Sequence, residues 1–130
     1  MIAYLFAEKQ GFSHFGSYEG NGSLDGPFLA LSFLPSYFFI KRTDSDGNWV
    51  IFDNKRSSTG GFNEIGYSLL ADGSNAEATG TTSNDVDFLS GGIKIREDNG
   101  DLNADGATYI YAAFAKAPFV NSNGVPCNAR

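Results

Sequence analysis

Thr108-Tyr109-Ile110-Tyr111-Ala112-Ala113-Phe114 carries apolar side chains at odd and even positions alike. Successive side chains of a strand point to opposite faces, so this stretch reads as a strand that sits centrally in a sheet or is covered on both sides. Just upstream, Gly92-Ile93-Lys94-Ile95-Arg96 alternates cleanly, isoleucines toward a core and bases toward water. No stretch sustains the i, i+3, i+4, i+7 spacing of an amphipathic helix over three turns. Glycines and Asn/Asp/Ser/Thr clusters instead punctuate the chain at the roughly 8–12-residue rhythm of short strands.

The expected strands are 2–7, 12–18, 28–33, 37–41, 49–53, 67–70, 86–89, 93–96 and 108–114. In Phe12-Ser-His-Phe-Gly-Ser-Tyr18 the apolar face is interrupted by one residue, which predicts a bulge. Asp44-Ser-Asp-Gly47 and Ser90-Gly-Gly92 read as hairpin turns. The polar stretches 54–63 and 72–85 read as long surface loops. Nine short strands without a helix predict an all-β fold, two packed antiparallel sheets of jelly-roll type.

The chain nearly repeats itself at its ends. Ile2-Ala-Tyr-Leu-Phe-Ala-Glu-Lys-Gln-Gly-Phe12 and Ile110-Tyr-Ala-Ala-Phe-Ala-Lys-Ala-Pro-Phe119 align on Phe6 and Phe114. The echo places both termini near one sheet and suggests a bead cut from a string of repeats. The expected organisation is an N-terminal strand within 1–11, packed on the domain as the echo of an upstream repeat, a sandwich over 12–119 and a tail over 120–130.

With 130 residues, 42% hydrophobic and 15% aromatic, the chain is one domain large enough to bury a core. Fifteen acids against nine bases, net −6, argue against nucleic acid or an anionic membrane as partner. A single cysteine, Cys127, forms no internal disulfide. No segment reaches the roughly 18 apolar residues of a membrane-spanning helix. Residues 1–7 lack a basic start and are followed by Glu8-Lys9, unlike a signal peptide.

Catalytic machinery is not evident. The one histidine, His14, sits within an expected strand, and neighbouring Ser13 points to the opposite face. Asp85 with Asp87, Asp44 with Asp46, and Glu64 are the carboxylates a glycosidase pair would draw on, and nothing sets two of them in opposed environments. Asp101-Leu-Asn103-Ala-Asp105-Gly106 matches the opening of a calcium loop, with Asp101, Asn103 and Asp105 as ligands, but the twelfth position is Ala112 rather than a bidentate Glu. An Asx-rich turn is the plainer reading, and no other cofactor is expected. Most phenylalanines are assigned to the core by volume. Trp49 and Tyr67 are the aromatics best suited to stack on sugar rings, and Tyr18 and Asn21 border a polar loop of the kind that contacts sugars.

Gly16-Ser-Tyr-Glu-Gly-Asn-Gly-Ser23, Asp25-Gly-Pro-Phe28, Phe39-Ile-Lys-Arg-Thr-Asp44, Gly47-Asn-Trp-Val-Ile-Phe-Asp53, Asp87-Phe-Leu-Ser-Gly-Gly-Ile-Lys-Ile-Arg96 and Tyr109-Ile-Tyr-Ala-Ala-Phe-Ala115 occur together in this order. Over about 12–119 the chain resembles a repeated β-domain of uncharacterised function in tail-fibre-like virion proteins of marine bacteriophages, cyanophages among them. The resemblance implies a concanavalin-like or jelly-roll sandwich in a virion. The implied role is a tail-fibre or host-adhesion module that binds cell-surface glycan through loops 19–26, 54–63 and 72–85. The alternative is a capsid decoration or other architectural protein, and a polysaccharide-degrading enzyme ranks third. Expected partners are other virion proteins, host glycan and further copies of the chain, with neither nucleic acid nor membrane insertion. The implied location is the virion, on a tail fibre or the capsid surface.

Overall fold

A computed structural model describes residues 1–56, 63–79, 86–118 and 121–123. The fold is all-β, an antiparallel two-sheet sandwich. The strands are β1 (Ser13–Glu19), β2 (Phe28–Ala30), β3 (Pro35–Arg42), β4 (Trp49–Asp53), β5 (Glu64–Ile65), β6 (Tyr67–Leu70), β7 (Ala78–Thr79), β8 (Val86–Leu89), β9 (Gly92–Ile95) and β10 (Thr108–Ala115). The larger sheet runs β1-β10-β3-β4-β6-β7, with β7 a two-residue edge, and the smaller runs β2-β9-β8-β5.

Between the sheets lie Phe38, Ile40, Val50, Phe52, Tyr109 and Ala113 from one side and Leu29, Ile65, Val86, Phe88, Ile93 and Ile95 from the other, all buried. Each large side chain removed from water this way contributes about 1.5–3 kcal/mol against the entropy of ordering the chain. As the alternation of 92–96 requires, Ile93 and Ile95 are fully buried. Lys94 and Arg96 turn outward to Asp25 and Asp87, each 2.7 Å away. Asp44–Gly47 lies in the β3–β4 hairpin. Ser90 and Gly91 turn β8 into β9, where Leu89 pairs with Gly92.

β10 lies between β1 and β3, central as its composition demands. Ser13 pairs with Phe114 and Glu19 with Thr108, so the chain enters β1 and leaves β10 at the same end of the sheet. The termini of the sandwich are neighbours, as the echo implied.

Three expectations are corrected. Residues 2–7 form no strand; only Lys9 pairs, in a single bridge to Ser13. The register of β1 against β10 is unbroken, so the bulge predicted within 12–18 is absent. Its apparent interruption arises because Phe15 and Tyr18 serve opposite faces. The register shift lies instead between Phe114 and Ala115, against β3. Finally, of the ten phenylalanines among the described residues only Phe33, Phe38, Phe52 and Phe88 are buried. Phe28 is exposed on β2 of the smaller sheet, and Phe6, Phe12, Phe15, Phe39 and Phe114 gather on the outer side of the larger sheet, which is apolar too.

Within the expected loop 72–85, 78–79 form the edge strand β7. Residues 57–62 and 80–85, Asp85 included, and Cys127 in the tail lie outside the described residues.

Candidate ligand-binding surface

Directly paired residues of adjacent strands share a face. Carrying the registers across the larger sheet gives its outer surface. The middle row runs Phe15, Ala112, Phe39, Ile51, Leu69 over five strands. At about 4.8 Å per strand spacing this apolar row extends roughly 20 Å. On one side of it lie Ser17, Ile110, Lys41 and Trp49; on the other lie Ser13, Phe114, Tyr37 and Asp53. Every side chain of the middle row is only part-buried.

The aromatics shield one another. Trp49 stacks on Phe39, with ring centroids 4.6 Å apart and planes at 15°. The Trp49 backbone N–H donates to the Asp72 carboxylate at 3.2 Å, which ties this corner to the loop after β6. Phe114 is met edge-on by Phe12, Phe15 and Tyr37, and Phe6 of the N-terminal arm closes the cluster at 5.9 Å. Tyr67 is half-buried on β6, two residues from Leu69 and so on the same outer face.

Beyond Tyr37 the face opens into a cleft of about 650 Å³ lined by Ser36, Tyr37, Asp53, Asn54, Lys55, Arg56 and Lys116. Asp53 Oδ1 accepts the backbone N–H of Lys55 and of Arg56, which shapes the turn after β4. Arg56 Nε lies 3.0 Å from Asp53 and 3.3 Å from Glu77. Loops 54–63 and 72–85, expected separately as contact loops, therefore meet at Arg56. Its buried Nη1 has no hydrogen-bond partner among the described residues. Burial holds the Tyr37 phenol above its ordinary value, with Asp53 adding to the shift, so this hydroxyl keeps its proton and can donate.

Tyr18 and Asn21 lie at the opposite end of the sheet. Tyr18 faces inward, stacks on Tyr109 at 5.0 Å and donates its hydroxyl to the Leu102 carbonyl. Both ring and hydroxyl are engaged within the sandwich. Asn21 and Asn103 bind each other reciprocally. The Asn21 N–H donates to Asn103 Oδ1 and Asn103 Nδ2 to Asn21 Oδ1, each at 2.9 Å. Asn103 Nδ2 also donates to the Ser23 carbonyl at 2.8 Å, and Asn103 is fully buried. Gly20 is required here because a Cβ would lie 2.2 Å from the Ala104 carbonyl oxygen.

The three residues of the expected cation loop diverge. Asp101 accepts from the backbone N–H and side-chain amide of Asn48 at 3.0 and 2.9 Å. Asn103 belongs to the Asn21 loop, and Asp105 is exposed. Among the described residues no three His, Cys, Asp or Glu side chains gather as metal ligands. Of the carboxylates considered for a glycosidase pair, Asp87 is held by Arg96 at 2.7 Å and Asp44 by Arg42 at 2.6 Å. The Arg42 hydrogen bond keeps the Asp44 carboxyl below its ordinary value. His14 stacks on Tyr111, and its Nδ1 lies 3.4 Å from the Tyr111 hydroxyl.

The sequence reading reached Trp49, Tyr67 and the loop that carries Arg56 but missed Tyr37, Phe39 and Lys116. The missed signal was available: Tyr37-Phe38-Phe39-Ile40 is apolar at every position, the property that marked 108–114 as two-faced.

No curated protein and no solved structure matches the chain. Residues 1–118 match the family described as a domain of unknown function (DUF7483), and the chain belongs to that family.

Proposed function

We propose that this protein is a non-catalytic structural module of a phage virion, a tail-fibre or host-adhesion domain that binds envelope polysaccharide on the outer face of its larger sheet. The observation that carries the reading is the continuous apolar row on that face, flanked by Trp49 and opening beside Tyr37 into a polar cleft. Sugar rings present apolar faces ringed by hydroxyls. Flat aromatics meet the former, and Asn54, Lys55, Arg56 and Lys116 offer donors to the latter. Such a shallow surface binds weakly per copy and gains strength when many copies act together. The resemblance to virion repeats supplies the phage setting.

Trp49 is the only tryptophan, so its emission reports on this face alone. Titration with cyanobacterial envelope polysaccharide is expected to shift and saturate that emission. Tyr37→Ala is expected to weaken the half-saturation point about tenfold, the equivalent of one lost stacking contact. Unchanged emission from a folded protein, tested also as a clustered multimer, would contradict the reading.

A further inference from the structure

We propose that residues 2–5 of one copy add as an antiparallel strand along the open edge of β1 in a second copy. Ile2, Tyr4 and Leu5 are 82%, 82% and 93% exposed, in an arm without regular structure. A consecutive run of apolar side chains in water marks a surface that is covered on association. The arm is also strand-like in composition, since it echoes β10, the strand that pairs with β1 on its other side.

β1 forms an edge of the larger sheet. Ser13 exchanges both its backbone hydrogen bonds with Lys9, at 2.9 and 3.2 Å, on the side away from β10. By the alternation of an antiparallel ladder, Phe15, Ser17 and Glu19 direct their N–H and C=O groups to that same side. Past the Lys9 bridge, no strand among the described residues pairs there.

The arm's own chain cannot fill this edge without a conflict of faces. Lys9 opposite Ser13 sets a hairpin register in which Phe6 would lie opposite Gly16. Gly16 faces inward, where a Cβ would meet the Tyr111 ring. Phe6 instead sits on the outer face, 6.2 Å from Phe15 and 5.9 Å from Phe114. Register parity decides which face every side chain takes, so the two arrangements exclude each other, and pairing within the chain stops at Lys9. An arm from a second copy is free of that parity. It can set Tyr4 beside Phe15 and Ile2 beside Ser17, the positions Ala112 and Ile110 hold across the strand. The outer row then continues over the edge, and Ala3 and Leu5 turn to the sandwich side. Strand addition of this kind supplies main-chain bonds for affinity and alternate side chains for specificity.

The test is light scattering across a concentration series on the full chain, with Tyr4→Pro in the arm and Ser17→Pro at the edge. Proline removes the required N–H, and an edge strand tolerates it where that N–H faces solvent. The wild type is expected to associate reversibly, and each variant to associate roughly 100-fold more weakly while keeping its near-UV circular dichroism. Hydrogen exchange on the wild type gives a second reading: the Phe15 and Ser17 amides gain protection as concentration rises. A wild type that stays monomeric overturns the proposal. So does association that survives either substitution, or association without protection of those amides.

Discussion

Raising the pH past 10 is expected to unfold this protein in one cooperative step. Burial, and secondarily the neighbouring Tyr109, holds the Tyr18 phenol far above its ordinary value. Burial shifts Tyr109 and Tyr111 in the same direction. The neutral phenol is the form the sandwich accommodates, whereas the unfolded chain releases its phenolic protons near pH 10. Below that pH all three are protonated in both states and their stabilisation is complete. Above it the native state holds more protons than the unfolded one, so stability falls by about 1.4 kcal/mol per pH unit for Tyr18, the most strongly shifted phenol. Tyr109 and Tyr111 steepen that loss, against a total stability of about 5–15 kcal/mol. Phenolate absorbance and near-UV circular dichroism should therefore change together, in one transition above about pH 10. Tyr18→Phe is expected to flatten the alkaline slope and to cost about 1 kcal/mol at neutral pH, the hydrogen bond to the Leu102 carbonyl being lost. Gradual titration with the dichroism intact would contradict the burial argument.

The second large effect is expected at Asn103. Its fully buried amide makes three hydrogen bonds to residues 21–23. Asn103→Ala strands these partners and opens a small cavity. At about 1 kcal/mol per bond the expected loss is ~3 kcal/mol, or roughly 10 °C in Tm for a domain of this size. Asp105→Ala, at an exposed position, is expected to change Tm by less than about 2 °C. The same loop tests the cation idea. Asp101 and Asn103 are committed to Asn48 and Asn21, and a cation would have to displace both. The Asn103→Ala loss is therefore expected to be equal with calcium and with chelator. A Tm rise on adding calcium that vanishes in Asp101→Ala would assign the loop to metal.

The strands that were legible in the sequence were those long enough to show a period. Alternation placed β9, two-faced apolarity placed β10 at the centre, and Asp-Gly placed the β3–β4 hairpin. β5 and β7 have two residues each and carry no period to read. The arm at 2–7 has the composition of β10, but composition does not carry parity, and the Lys9 bridge sets the wrong face for Phe6. At the surface, Trp49 and Tyr67 were reachable by chemistry alone. Tyr37 and Phe39 were missed because volume assigns phenyl rings to a core, although the unbroken apolar run 37–40 carries the same two-faced signal that placed β10. The Asn21–Asn103 lock joins positions 82 apart in the chain. Locally, the pattern around Asn103 reads as well for a cation loop as for a hydrogen-bonded turn.

The most direct test of the adhesion reading is retention of the fluorescently tagged protein on intact marine cyanobacterial cells, with and without competing envelope polysaccharide. Wild-type protein, presented as a clustered multimer, is expected to bind, to be displaced by the polysaccharide, and to lose at least about tenfold in affinity in Tyr37→Ala. Folded multimer that fails to bind, or binds equally well with Tyr37 replaced and polysaccharide in excess, would contradict the account and leave the domain an architectural part.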